Sequence, residues 1–261
     1  PLGPAGWSWQ HHHDLDIATG ELSLGDGRRV VLPGGIISRI AGNNAPGSPF
    51  DHVGQDASTI EMHPDHEGVM RASDGSVYFG YANSVPRAVY RVTTAGVLEL
   101  VAGGGSGEGE GVLATTIALS NPRGLAEAAD GSILIADYTR LRRVDPAGLI
   151  TTIGGNGATT GKITDGVPAT DSRLNPFDVT VGPDGQVYAV GKKRIRRIDG
   201  DGIIHTYAGG GGGTGWTVTG ASVNATETTF GNLQGADMNA AGQMVVADDL
   251  YKRVGLIDTD G

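Results

Sequence analysis

The sequence contains no cysteine, so a disulfide framework and a thiolate metal centre are both out of reach. Positive charge is scarce: 19 Lys and Arg stand against 29 Asp and Glu, a formal net charge of −10. A surface that grips phosphates needs a basic field, which argues against nucleic acid as a partner. No apolar run approaches the length of a membrane span, so this segment is not expected to insert in a bilayer. Neither an initiator Met nor a basic-then-apolar signal peptide opens the chain. The start at Pro1 and the stop at Gly261 read as cuts inside a longer protein.

What is abundant is glycine, 45 of 261 residues, without the every-third spacing of collagen. Together with short alternating apolar runs, this signals many tight turns between short strands. The turns repeat. Asp74-Gly75, Asp130-Gly131, Asp184-Gly185 and Ala241-Gly242 follow one another at 54–57 residues, and Thr19-Gly20 stands 55 before Asp74. The segments Gly111 to Gly155 and Gly166 to Gly210 share one order: Ala-Thr, Leu with Pro soon after, an apolar run, Asp-Gly, a second run, an Arg-rich run, a turn, and a last run ending in Gly-Gly. About five copies are visible, at 1–42, 56–103, 111–155, 166–210 and 224–261. In the 111–155 copy the runs Gly124–Ala128, Ser132–Ala136, Leu141–Asp145 and Leu149–Ile153 are expected to be strands, joined by hairpin-type turns. Four antiparallel strands make one blade, and radial repetition of blades protects the sheet edges. The fold expected is therefore all-β, a β-propeller of four-stranded antiparallel blades. Trp7–His13 would be the inner strand of the first copy, and the last copy would lack its outer strand.

Asp165 with Pro168 reads as the start of a one-turn helix, and a similar turn is expected on each long connector. The basic runs Arg140–Arg143 and Lys192–Arg197 recur in one phase of the blade, with Asp145 and Asp199 following. Their stems are expected to cover apolar surface while the heads reach water or a carboxylate.

In an up-down-up-down blade the first and third turns share one end. The second turns share the other with the long connectors Gly103–Thr115, Gly154–Thr170 and Gly209–Thr226. Long loops on a rigid scaffold commonly carry binding, so this connector face is the expected partner surface, with Trp216, Tyr138 and Tyr251 as anchors. A protein or glycan suits it.

A propeller enzyme needs His, Asp, Glu or Asn converging from several inner strands. The inner runs 68–72, 124–128, 178–182 and 235–239 supply Arg71, Glu127, Asp178 and Asp237, no His, and no shared phase. No catalytic residue, metal or cofactor is expected. His11–His13 and His63/His66 make weak metal patterns, His205 reads as surface, and Asp199-Gly-Asp-Gly202 as a turn. Asn224-Ala225-Thr226 is an N-glycosylation sequon, of consequence only in a secreting eukaryote.

Asn121-Pro-Arg-Gly-Leu125, Asp130-Gly-Ser-Ile-Leu-Ile-Ala-Asp137, Arg140-Leu-Arg-Arg-Val-Asp145 and Leu149-Ile-Thr-Thr-Ile-Gly-Gly155 resemble the NHL repeat. Gly6-Trp-Ser-Trp-Gln-His-His-His13 with Leu22-Ser-Leu-Gly-Asp-Gly-Arg-Arg29 is similar to the entry into the propeller of teneurin-like and Rhs proteins, which carry YD repeats. The resemblance implies a ring that closes with six blades. It also implies a non-catalytic adhesion or scaffold module of a large secreted or cell-surface protein, bacterial in the Rhs-like case, beside a β-shell of the same polypeptide. No YD repeat lies within the 261 residues. The competing function class is a lyase- or lactonase-type propeller enzyme with a cation in the central channel.

Overall fold

The computed structural model describes residues 39–259 apart from 44, 63–65, 83–85 and 212–222, and the strand backbone at 15–16, 21–23 and 29–31. Trp216 and the proposed strand Trp7–His13 lie outside the described residues. Residues 1–40 and 41–261 form two separate compact units. The first carries β1 (Leu15–Asp16), β2 (Glu21–Ser23) and β3 (Arg29–Val31), an antiparallel sheet in that order.

The second unit is all-β, four antiparallel sheets arranged as propeller blades. The first blade is β4 (His66–Arg71), β5 (Val77–Tyr81), β6 (Ala88–Val92) and β7 (Leu98–Gly103). In the second, β8 (Val112–Leu113) joins β9 (Pro122–Glu127), β10 (Ile133–Asp137), β11 (Arg140–Val144) and β12 (Leu149–Gly154). The third repeats this with β13 (Val167–Pro168), β14 (Pro176–Val181), β15 (Val187–Gly191), β16 (Arg194–Ile198) and β17 (Ile203–Gly209). The fourth has three described strands, β18 (Leu233–Met238), β19 (Met244–Asp248) and β20 (Arg253–Ile257).

The tight turns behave as their sequence demands. Asp130 accepts from the Ser132 N–H and hydroxyl, and Asp74 and Asp184 repeat the arrangement with Ser76 and Gln186. Inner strands start two residues before the expected runs, at Pro122 and Pro176 in two blades. Proline is tolerated as the first residue of a strand, where no ladder donor is missed. A bulge near the start of each inner strand absorbs the difference in register.

The core lies between blades. Leu134, Ala136 and Leu141 of the second blade meet Val179, Ala189 and Ile198 of the third, and Tyr188, Val190 and Ile195 of the third meet Leu233, Met244 and Val246 of the fourth. Each of the Leu, Ile, Val and Met side chains among these contributes about 1.5–3 kcal/mol by leaving water.

The connectors depart from expectation. Instead of staying at one end, those entering the first three blades run along the outer edge of the blade they enter: Asp56 bridges to Val97, β8 pairs with β12, and β13 with β17. The Ala of the Ala-Thr or Ala-Ser pair then plugs the gap between blades in three of the repeats, Ala57, Ala114 and Ala169 being buried, while Ala225 is only partly so. One-turn 3-10 helices follow at Ala57–Thr59, Ala114–Thr116 and Ala225–Glu227, capped by Asp56 and Asn224 in the first and last. Asp165 caps no helix. Pro168 sits in β13, and Asp165 accepts from Arg196 and Thr206.

The arginine heads reach carboxylates, as expected, but not those of Asp145 and Asp199. Arg142 pairs with Glu110, Arg143 with Asp130 and Arg196 with Asp165. Asp145 and Asp199 serve their own turns, accepting from Ala147 and Leu149 and from Asp201 and Ile203. His205 is bonded to Asp199 at 3.1 Å.

Candidate functional site

The four inner strands enclose a cavity of ≈ 520 Å³ that Arg71, Glu127, Asp178 and Asp237 help to line. Strand register places its acids at different depths. Glu127 stands opposite Ile133, Asp237 opposite Val245, and Asp178 opposite Val190, three pairings deeper than Glu127 along the repeat. Glu127 bridges blades: it accepts from the Ser73 N–H at 2.6 Å and the Ser73 hydroxyl at 2.9 Å. Asp178 does the same on the other side, accepting from the Ala236 N–H at 3.3 Å while also capping Val179. Asp237 accepts from the next residue, Met238. Among the described residues no three His, Asp or Glu converge as metal ligands. His66 opens β4.

Asp178 occupies a position that is glycine in its neighbours, Gly124 on one side and Gly235 on the other. Burial pushes its carboxyl above the ordinary carboxylate range, Asp237 adds to the push, and the two backbone hydrogen bonds oppose it. A carboxyl raised in the folded state keeps a proton that the unfolded chain has already released, so stability falls as pH rises from the ordinary carboxylate range through the raised value. Asp178→Asn is therefore expected to raise the melting temperature at neutral pH, with the gain fading on acidification to about pH 4. Thermal unfolding across that interval checks this; a gain that does not shrink with acid would contradict it.

At the second-turn end, Tyr138 and Tyr251 are 46% and 47% exposed, and Leu250 is 61% exposed. Tyr138 follows β10 directly and is held at φ 56°, a left-handed backbone that side-chain-bearing residues seldom adopt. Tyr251 lies under the Arg253 guanidinium, 4.6 Å from the ring centroid. The two tyrosines project from the second and fourth blades.

The family model described as the Teneurin NHL domain matches residues 104–162, the stretch holding the Asn121 to Gly155 repeat. Teneurin-1 of Gallus gallus is 34% identical over 107 residues, 39% of this chain and 4% of that protein. Teneurin-1 of Homo sapiens is 26% identical over 274 residues, 78% of this chain and 10% of that one. The chain is an NHL-type propeller related to teneurin. It spans a tenth or less of the length of these relatives. A presumed gluconolactonase of known structure shares the fold of this teneurin-related propeller, with a TM-score of 0.51 at 14% identity over 88% of this chain and 66% of that one.

Reading residues alone missed what connects the teneurin-related blades: Glu127 to Ser73, Asp178 to Ala236, and Arg142 and Arg196 to the connector acids. The recurrence of an acid before each Ala-Thr, at Glu110 and Asp165, in step with Arg142 and Arg196, was the available signal.

Proposed function

We propose that this propeller is a non-catalytic binding and scaffold module of a large secreted or cell-surface YD-repeat protein, acting through protein or glycan contacts at its second-turn end. The observation that carries the reading is the use of the channel carboxylates. Glu127 and Asp178 hold neighbouring blades together, at different depths, instead of presenting a convergent set to a substrate. The exposed Tyr138 and Tyr251 support a contact surface at the opposite extreme of the blades from the tight first and third turns. Aromatic anchors bury much area at small entropic cost.

The test is clustering of beads coated with the purified chain, alone and on immobilised glycans. Tyr138→Ala with Tyr251→Ala is expected to reduce clustering or capture severalfold, whereas Asp184→Ala at a first turn leaves it unchanged. Loss with the first-turn change and not with the tyrosines would show the wrong face was chosen. A stoichiometric cation in the purified protein, with lactone hydrolysis abolished by Asp237→Asn, would replace this reading with the enzymatic one.

A further inference from the structure

One residue ends the second strand of each blade opposite the first residue of the inner strand: Tyr81 opposite His66, Asp137 opposite Pro122, Gly191 opposite Pro176, and Asp248 opposite Leu233. The two aspartates have the same duty. Asp137 accepts from the N–H groups of Ser120 and Asn121 at 2.8 and 2.5 Å, and Asp248 from those of Gly231 and Asn232, both at 3.0 Å. The repeat register makes Leu174 and Asn175 the counterparts of these donors in the third blade. There the partner position is Gly191, which has no carboxylate. The N–H groups of Leu174 and Asn175 have no hydrogen-bond acceptor among the described residues.

Leu174, Asn175 and Gly191 together line a cavity of ≈ 400 Å³. Its other walls include Arg173, Lys192, Lys193, Arg194 and Arg196, a concentration of positive charge in a chain of net charge −10. Only Arg196 has an ion-pair partner among the described residues, Asp165 at 2.6 Å. The Arg196 side chain is 4% exposed, yet its Nη1 is buried without a hydrogen-bond partner, as is Nε of Arg173. Nε of Arg142 and of Arg253 are in the same state in the blades that keep their aspartate, so what sets this cavity apart is the gathering of cationic side chains beside two backbone donors without an acceptor.

We infer that this cavity binds a carboxylate presented by an acidic peptide segment of a partner protein, in the place that Asp137 and Asp248 fill in their own blades. The occupants of the two sister positions are aspartate side chains on a peptide, which is the geometry the two backbone donors are set to receive. Ile163, Leu174 and Ala189 add an apolar wall against which a neighbouring side chain of the peptide can pack. The inference rests on the reading of the second-turn end as the binding end, but its experiment is separate. If the tyrosine variants leave clustering intact while peptide binding behaves as below, the aromatic surface is wrong and the carboxylate site stands.

The probe is the blocked tetrapeptide Ile-Ala-Asp-Tyr, a copy of residues 135–138, titrated into the whole chain by calorimetry or amide NMR, beside its Asn-for-Asp counterpart, glucuronate and inorganic phosphate. The aspartyl peptide is expected to bind about tenfold or more tightly than the asparaginyl one, the scale of charge-assisted hydrogen bonds. Gly191→Asp supplies the carboxylate from within and is expected to abolish binding while raising the melting temperature. A Cβ there would stand 3.1 Å from the Asn175 carbonyl oxygen, so the turn must give slightly. Should that variant not fold, Lys192→Ala with Lys193→Ala decides, by weakening the aspartyl peptide alone. Equal affinity for both peptides, or undiminished binding to folded Gly191→Asp, overturns the site. Tighter binding of glucuronate or phosphate than of the aspartyl peptide overturns the assignment to a peptide.

Discussion

Asp137→Ala is expected to destabilise the propeller by about 2 kcal/mol or more, the cost of stranding two backbone donors and opening a small void. Asp137 is 5% exposed and closes β10. Both of its hydrogen bonds, from Ser120 and Asn121, converge on one oxygen, Oδ1. They fix the loop that enters β9, so their loss loosens the entrance to an inner strand. Burial raises the Asp137 carboxyl above the ordinary range, against the pull of those hydrogen bonds and of Arg142 and Arg140. Asp137→Asn keeps the accepting oxygen without the buried charge. It is therefore expected to match or exceed the parent at neutral pH and to lose that advantage in acid, where the parent carboxyl is protonated. Denaturant unfolding of the three proteins distinguishes the acceptor from the charge. If Ala and Asn were equally destabilised, Oδ1 would not be the operative atom.

Gly124→Ala should cost at least about 1–3 kcal/mol, the range for forcing extra volume into a packed site. A Cβ on Gly124 would lie 2.2 Å from Asp178 Oδ1 and 2.4 Å from Asp178 Cα, on the inner strand of the next blade. The second contact is with backbone, so no rotamer change relieves it and the two blades must separate. Gly200→Ala is the matched control: its Cβ meets nothing within 4 Å, and the change is expected to stay within about 0.5 kcal/mol. Equal melting temperatures for the two variants would mean that the inner strands are not packed this closely. A similar constraint explains the Gly-Gly that ends each outer strand. At Gly155, φ is 85° and a Cβ would stand 2.2 Å from the Thr139 carbonyl oxygen, so the chain leaving the blade can pass the second turn only as glycine.

Periodicity by itself determined the blades, because a strand's alternation and a turn's Asp-Gly pair are local properties. Ile133–Asp137 and Arg140–Val144 lie within a residue of the expected runs, and the depths of Glu127, Asp178 and Asp237 followed from counting along strands. The exposed Tyr138 and Tyr251 followed from turn position alone. What the chain order could not give was anything set by one blade meeting the next. Ala114 and Ala169 look like loop residues, yet they are buried because the connector folds back between sheets. Asp165 looks like a helix cap, yet it is claimed by Arg196, 31 residues on and buried at 4% side-chain exposure, where an unpaired guanidinium would cost more than a frayed turn. Gly191 reads as one more turn glycine. Only when the blades are superposed by register does it become the missing aspartate, because the two donors it leaves unpaired come from a loop 16 residues earlier in the chain.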